Sequence, residues 1–179
     1  MLRAARERFS RYSYDDVGMR DIAGDVGVDA ALVSRYFGSK EDLFIKVLDD
    51  CGDGKELMDG DRATFGERVA REAIFGTGRN DGSLKHLMVL LHSIGSTKAI
   101  ELVRRTAHDC FFGPFETWIG GPDAAVRARL AAAFIMGMEV SREITGGQTL
   151  SADACERMHA RMSVILQDLI DGPGVSAAE

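Results

Sequence analysis

Between Met19 and Leu48 the apolar residues fall at helical steps in three short runs, and a glycine closes each of the first two. Ile22, Ala23 and Val26 share one side of a segment over 19–26, and Val33 and Phe37 sit four apart in a segment over 30–37. Leu43, Phe44, Val47 and Leu48 mark the third. Side chains three and four apart lie over one another on a helix, so each run predicts a short helix with one buried face. Gly27 supplies the backbone freedom that a sharp reversal needs, and Gly38 stops the second helix. Asp29 is placed to cap the second helix. Ser39 is placed to cap the third, with Asp42 three residues on completing a variant of the capping box. Two short helices joined by a glycine-containing turn, with one helix before and one after, form a helix-turn-helix.

The remaining sequence extends the helical reading. A first helix is expected over 1–11, with Leu2, Ala5 and Phe9 on one face, and "RYSYDD" reads as a connector. No convincing strand alternation occurs, and only 3 prolines interrupt the chain. "DDCGDGKELMDGD" is rich in glycine and aspartate and marks a boundary between a head and a larger body. Five further helical patterns start near Arg62, Ser83, Ser96, Pro122 and Ser151 and stop near Gly76, Gly95, Gly120, Gly146 and Gly172. Pro122 is expected in the first turn of its helix, and Pro114 should kink or break the helix around it. "GTGRNDGS" and "TGGQTLS" read as loops. The expected fold is all-α with about nine helices. It divides into a head over 1–50, a body over 55–172 and a frayed tail over 173–179.

Composition narrows the function classes. Of 179 residues, 45% are hydrophobic and 28% charged, which suits a folded globular chain. No apolar run reaches the roughly 18 residues of a membrane span, and the first residues have no apolar core of a signal peptide. The three cysteines, Cys51, Cys110 and Cys155, are odd in number and widely spaced, which points to a reducing cytoplasm rather than to a disulfide framework. No histidine sits at finger spacing from a cysteine pair, so no metal is expected. No GxSxG, Walker loop, HExxH or dinucleotide fingerprint is present, so neither an enzyme nor a cofactor is expected. Net charge is −6, and residues 1–48 hold eight basic and eight acidic residues. Any nucleic-acid contact must therefore be local, made by one docking surface rather than by a basic protein as a whole.

The stretch "MRDIAGDVGVDAALVSRYFGSKEDLF" resembles the N-terminal head of the TetR family of bacterial repressors. The resemblance is carried by Arg20, Ile22, Ala23, Gly27, Val28, Phe37, Ser39, Lys40, Glu41 and Leu43. "LRAARERF" is similar to the first helix of those heads, and "WIGGPDAAVRARLAAAFIMGMEVSREI" to the penultimate helix of some members. Two positions depart from the pattern: Gly18 stands where the family places a capping hydroxyl, and Ser34 where it most often has tyrosine.

The resemblance implies a regulator that binds a double-stranded DNA operator, and it assigns Arg20 to a base contact. An arginine there can pair bidentately with guanine; the alternative is a solvated arginine beside Asp21. Ala30 and Ala31 reach no further than a methyl contact. Ser34 and Arg35 are the candidates for base edges or nearby phosphate. Tyr36 is placed to donate to phosphate, or else to pack its ring over the junction with the next helix. Lys40, in the first turn of that helix, reads as a phosphate clamp rather than as a plain surface lysine.

One short recognition helix gives little specificity, so a palindromic operator and a homodimer are expected. The last two helical patterns offer the surface: Val126, Leu130, Phe134, Gly137 and Met138 on one, Met158, Met162, Ile165 and Leu169 on the other. The resemblance further implies a cavity for a small apolar effector, for which Met88, Leu91, His92, Phe111, Phe112, Phe115, Trp118 and Met136 are the candidate lining. His86, His92 and Glu139 are the polar groups of interest there. Effector binding would release DNA. The competing expectation is a dimeric helical small-molecule-binding protein whose head no longer reads DNA.

Overall fold

The structure, a computed structural model, describes residues 1–50, 55–76, 81–145 and 150–172. Cys51, half of the first expected loop, most of the second and the expected tail over 173–179 lie outside the described residues. The order is α1 (Leu2–Phe9), α2 (Met19–Val26), α3 (Ala30–Phe37), α4 (Lys40–Asp50), α5 (Lys55–Met58), α6 (Phe65–Phe75), α7 (Asp81–Ser93), α8 (Thr97–Ala107), α9 (Gly113–Ile119), α10 (Ala124–Ile144) and α11 (Ala152–Asp171). A π turn over His108–Phe112 links α8 to α9 without a break. With these two counted as one interrupted helix, and the single turn of α5 set aside, the described residues form nine helices and no strand, the all-α architecture expected.

Packing divides the chain into two compact units, one from Met1–Asp53 with Asn80–Cys110, the other from Gly54–Arg79 with Phe111–Glu179. The first unit does not run in chain order: Val89 of α7 and Ala99 and Leu102 of α8 are buried in the same core as Ala5, Phe9, Ile22, Val33, Leu43, Phe44 and Val47. At its centre three rings meet. Phe9 and Phe44 are edge to face at 4.9 Å, and Tyr14 meets Phe44 at 5.0 Å and Phe9 at 5.9 Å, geometries that aromatic quadrupoles favour. Lys85 of α7 pairs with Glu7 at 2.7 Å, and Lys98 of α8 with Glu41 at 2.8 Å.

The second unit is built on α6 lying against α11. Gly66 lets the two backbones approach, and its N–H donates to Gln167 Oε1 at 2.9 Å. Phe65, Ala70, Phe115, Ile119, Ala128, Ala131, Met162, Leu166 and Ile170 form the core. Arg127 is only 8% exposed and spends its guanidinium on backbone carbonyls: those of Pro122 at 3.0 Å, Ile170 at 2.8 Å and Gly120. Arg142 closes α6 from outside, donating to the carbonyls of Ala73 at 3.2 Å and Gly76 at 2.6 Å.

The structure corrects several expectations. Pro122 precedes its helix instead of opening it, because Asp123 takes a left-handed conformation (φ 54°) and α10 begins at Ala124. At Pro114 the chain stays helical: the proline has no N–H for the carbonyl four residues back, and the preceding turn widens to π spacing. The expected connector after α1 contributes Tyr14 to the core. The boundary segment carries the extra turn α5, and α7 starts at Asp81, inside the loop expected there.

Candidate nucleic-acid interface

Local chemistry fixes both ends of the helix-turn-helix. Gly27 is left-handed (φ 68°), Val28 N–H donates to the Ala23 carbonyl at 3.0 Å and Gly27 N–H to that of Gly24 at 3.2 Å. That is the Schellman closure, and it turns the chain from α2 into α3. Asp29 caps α3 by accepting the Ala31 N–H at 2.7 Å. Gly38 ends α3 at φ 85°, ψ −128°, a region that side chains avoid. The expected capping box then starts α4: Asp42 Oδ2 accepts Ser39 N–H at 2.9 Å and Ser39 Oγ at 2.6 Å, and Asp42 N–H donates back to Ser39 Oγ at 3.1 Å. The Ser39 hydroxyl and N–H hold the Asp42 carboxyl below its ordinary pKa. At the start of α2 the missing hydroxyl of Gly18 leaves half a box, Gly18 N–H to Asp21 Oδ2 at 2.8 Å.

Val33 is buried and Phe37 half-buried, so α3 turns its other side out. Ala31, Leu32, Ser34, Arg35 and Tyr36 are exposed; Ala30 is half-buried against the core. Tyr36 is 72% exposed, with its ring 5.1 Å from that of Phe37, and so stands in the open. Leu32 is the residue that the sequence reading passed over. Its signal is angular position, about 100° per residue away from the buried Val33.

Most acidic residues of the head are engaged in caps and ion pairs. Arg8 takes Asp25 with two bonds, at 2.5 and 2.7 Å, bracing α1 on α2 and lowering the Asp25 pKa through that hydrogen bond. Arg6 pairs with Asp50 and Arg11 with Glu7, while Asp21, Asp29 and Asp42 serve as caps. Arg20 and Arg35 are exposed and form no ion pair among the described residues. Residues 1–48, with no net charge, thus still present two open guanidinium groups on α2 and α3. Lys40 is differently placed. Its Nζ sits 4.2 Å from the Tyr14 ring centroid, a cation–π contact. Burial lowers the Lys40 pKa, against the pull of Asp15 and Asp16; burial also raises the Tyr14 pKa to about 12, helped by Glu41 and Asp15.

The other candidate residues fall as follows. Phe111, Phe112, Phe115 and Trp118 come together in the second unit: Phe111 lies 5.0 Å from Phe112 and 5.4 Å from Phe115, and Phe115 5.9 Å from Trp118. Phe65 joins them at 5.4 Å from Trp118. Met136 is exposed on α10. Met88 and His92 are half-buried and Leu91 exposed on α7, in the first unit. Glu139 is half-buried and burial raises its pKa, against the opposing pull of Arg142. Phe134, Met138, Met158, Met162 and Ile165 line one groove of about 300 Å³ between α10 and α11, with Arg157 and Arg161 at its rim. Val126 and Leu130 are exposed on α10, Gly137 is open, and Leu169 is half-buried. Among the described residues no helix is long and apolar enough to cross a membrane.

Comparison with known proteins agrees with this geometry. Residues 1–47 match the family described as bacterial regulatory proteins, tetR family, and residues 63–170 match the tetracyclin repressor-like C-terminal domain. Among solved structures, a TetR-family regulator from Streptomyces coelicolor A3 superposes with a TM-score of 0.53 at 25% identity, over 94% of this chain and 91% of that one. No curated protein matches. The helix-turn-helix, the helical body and both family matches converge: the chain belongs to the TetR family of DNA-binding transcriptional regulators.

Proposed function

We propose that this regulator is a ligand-released repressor, acting in the cytoplasm, that binds a palindromic operator as a homodimer. Residues 1–50 read DNA, and 55–172 hold the effector and the twin chain. The observation that carries this reading is the open side of α3, where Ser34, Arg35 and Tyr36 are exposed, with Arg20 exposed on α2, while Asp25 is held in an ion pair and Asp29 in a cap. Arg20 and Arg35 pair with base edges; Ser34, Tyr36 and Lys40 grip phosphate, and Ala31 offers a methyl contact. The exposed apolar residues of α10 and α11 support the two-fold contact, and the aromatic group around Phe115 supports an effector of small, apolar character. Effector and operator oppose each other only through differential affinity for two arrangements of the protein, so each must weaken the other by the same factor.

The test is a gel shift with sheared genomic fragments at fixed salt. Fragments carrying an inverted repeat, retained over random DNA and released by an effector, support the proposal. Equal retention of every sequence would reject it in favour of a helical binding protein with a silent head.

A further inference from the structure

A single exposed leucine on a soluble protein is ordinary. Leu32 is not in an ordinary place. It is 44% exposed in the first turn of α3, one residue from open Ala31 and four from Tyr36, whose ring is also bare. The eight residues of α3 contain no acid, and Arg35 is their one charge. On a helix, residues three and four apart are neighbours, so Ala31, Leu32 and Arg35 form one continuous patch: apolar at the start of the helix, cationic a turn later. The seam through Val33 and Phe37 faces the opposite way.

In the major groove the one apolar mark is the 5-methyl group of thymine, and the strongest arginine target is guanine. The N-terminal residues of a recognition helix are the ones that reach base edges. Leu32 and Arg35 are separated by about 4.5 Å along the helix axis, and base pairs by about 3.4 Å, so the two side chains address neighbouring steps. We propose that Leu32 is a specificity-determining residue that reads thymine through its 5-methyl group, beside the base pair addressed by Arg35. This rests on the DNA-reading function proposed above and adds to it a constraint on the operator: each half-site carries a thymine within one or two base pairs of a guanine.

The experiment uses the full chain and a randomised double-stranded library. Duplexes retained by the wild type are sequenced, and each thymine of the half-site is then replaced singly by deoxyuridine, which removes only the methyl group. One thymine next to a guanine should prove sensitive, with affinity falling about fourfold per methyl lost, the worth of one buried carbon. Leu32→Ala should bind the thymine duplex more weakly and be indifferent to the deoxyuridine. Because Leu32 is exposed, the variant should keep wild-type helicity and thermal midpoint, which circular dichroism checks. A selected half-site with no thymine within two base pairs of a guanine overturns the proposal, and so does a Leu32→Ala protein that remains as sensitive as the wild type. If no sequence is enriched at all, the DNA-reading function fails first, and that outcome is distinct from enrichment of sites insensitive to the methyl group.

Discussion

Arg62 and Arg127 meet at a single carbonyl, that of Ile170: Arg62 Nη2 donates to it at 2.6 Å and Arg127 Nη1 at 2.8 Å. Arg62 Nε pairs with Asp171 Oδ1 at 3.1 Å, and the other donors spread over the last turn of α9 and the loop after it. Arg62 Nη1 reaches the carbonyls of Trp118 at 2.8 Å and Ile119 at 2.7 Å; Arg127 takes Gly120 and Pro122. The last carbonyls of a helix have no partner within it. Here two helices end side by side, and two forked guanidinium groups satisfy both ends at once, a task a lysine's point charge does poorly.

Removing Arg127 strands the carbonyls of Gly120 and Pro122 in a mostly dry site and takes one of two donors from that of Ile170, so Arg127→Met should destabilise the protein by about 3 kcal/mol. Arg62→Met should cost less, about 1–2 kcal/mol, because its guanidinium is partly in water. Each single variant leaves the Ile170 carbonyl one donor, whereas the double variant leaves none. The double loss should therefore exceed the sum of the singles by about 0.5–1 kcal/mol. Urea unfolding of the four proteins measures the cycle, and strict additivity would mean that the shared carbonyl carries no coupling.

Gly66 gives a prediction of opposite sign to that for most helical glycines. A Cβ built there would lie 2.2 Å from the Ser163 carbonyl oxygen and 2.8 Å from Gln167 N, both backbone atoms of α11. Gly66→Ala gains about 1 kcal/mol of helix propensity but must push two helices apart, an overpacking cost of about 1–3 kcal/mol or more. Its control is Gly24→Ala in α2, where the added carbon meets nothing within 4 Å and only the propensity gain remains. Thermal unfolding should show the first lowered and the second raised.

These cases mark where the sequence was legible. The limits of α2 and α3 match the expected 19–26 and 30–37, because Gly27, Asp29, Gly38 and Ser39 act on neighbours within a few residues. The openness of Ser34 and Arg35 followed from the same periodicity, whereas for Tyr36 the sequence left open whether the ring packs over the junction with α4. Burial of Tyr14 within a polar connector, the return of α7 and α8 to the first unit, the need for Gly66 and the burial of Arg127 all depend on residues tens of positions away, and no local pattern encodes them. Lys40 shows the division within one residue. Its place in the first turn of α4 was legible, whereas its contact with Tyr14 needed the three-ring core.

His86 should make the first unit acid-sensitive. Its Nδ1 is buried without a hydrogen-bond partner among the described residues, and burial, aided by the charge of Arg6, lowers its pKa. The folded state thus holds the neutral ring while the unfolded chain takes up a proton at the ordinary value of about 6.5. Stability from this group is full above that pH and is lost as pH falls through the interval down to the folded-state value. His86→Gln should flatten the dependence of the thermal midpoint on pH just below about 6.5; an unchanged slope would place the effect on other groups.

The two-fold contact can be tested without disturbing the protomer. Leu130 is 52% exposed and Ile165 46%, so Leu130→Arg and Ile165→Arg should leave folding intact. If these side chains are buried between twin chains, each forfeits about 2 kcal/mol of apolar burial, about thirtyfold in dimer dissociation, before the cost of an uncompensated charge. Light scattering at micromolar concentration should find a dimer for the wild type and a monomer for the double variant, with operator affinity lost in parallel. A double variant that stays dimeric would move the interface elsewhere, and a wild type already monomeric would remove it.

Arg20 and Lys40 should separate reading from gripping. Arg20 is open and free of ion pairs among the described residues, so its substitution by alanine should remove the proposed base contact and little else. The expected result is a loss of about 1–3 kcal/mol on the operator, with relaxed preference at one base pair and little change on random DNA. Lys40→Ala should weaken every sequence alike and lower the slope of affinity against salt by about one. The ring contact adds a third arm. If Tyr14 holds the Lys40 ammonium at the height where phosphate is gripped, Tyr14→Leu should reproduce part of the Lys40 effect on the salt slope, whereas Tyr14→Phe, which keeps the ring, should leave that slope unchanged. A Lys40→Ala protein with the wild-type slope would assign the lysine to the Tyr14 ring alone and leave the grip on phosphate to Ser34 and Tyr36.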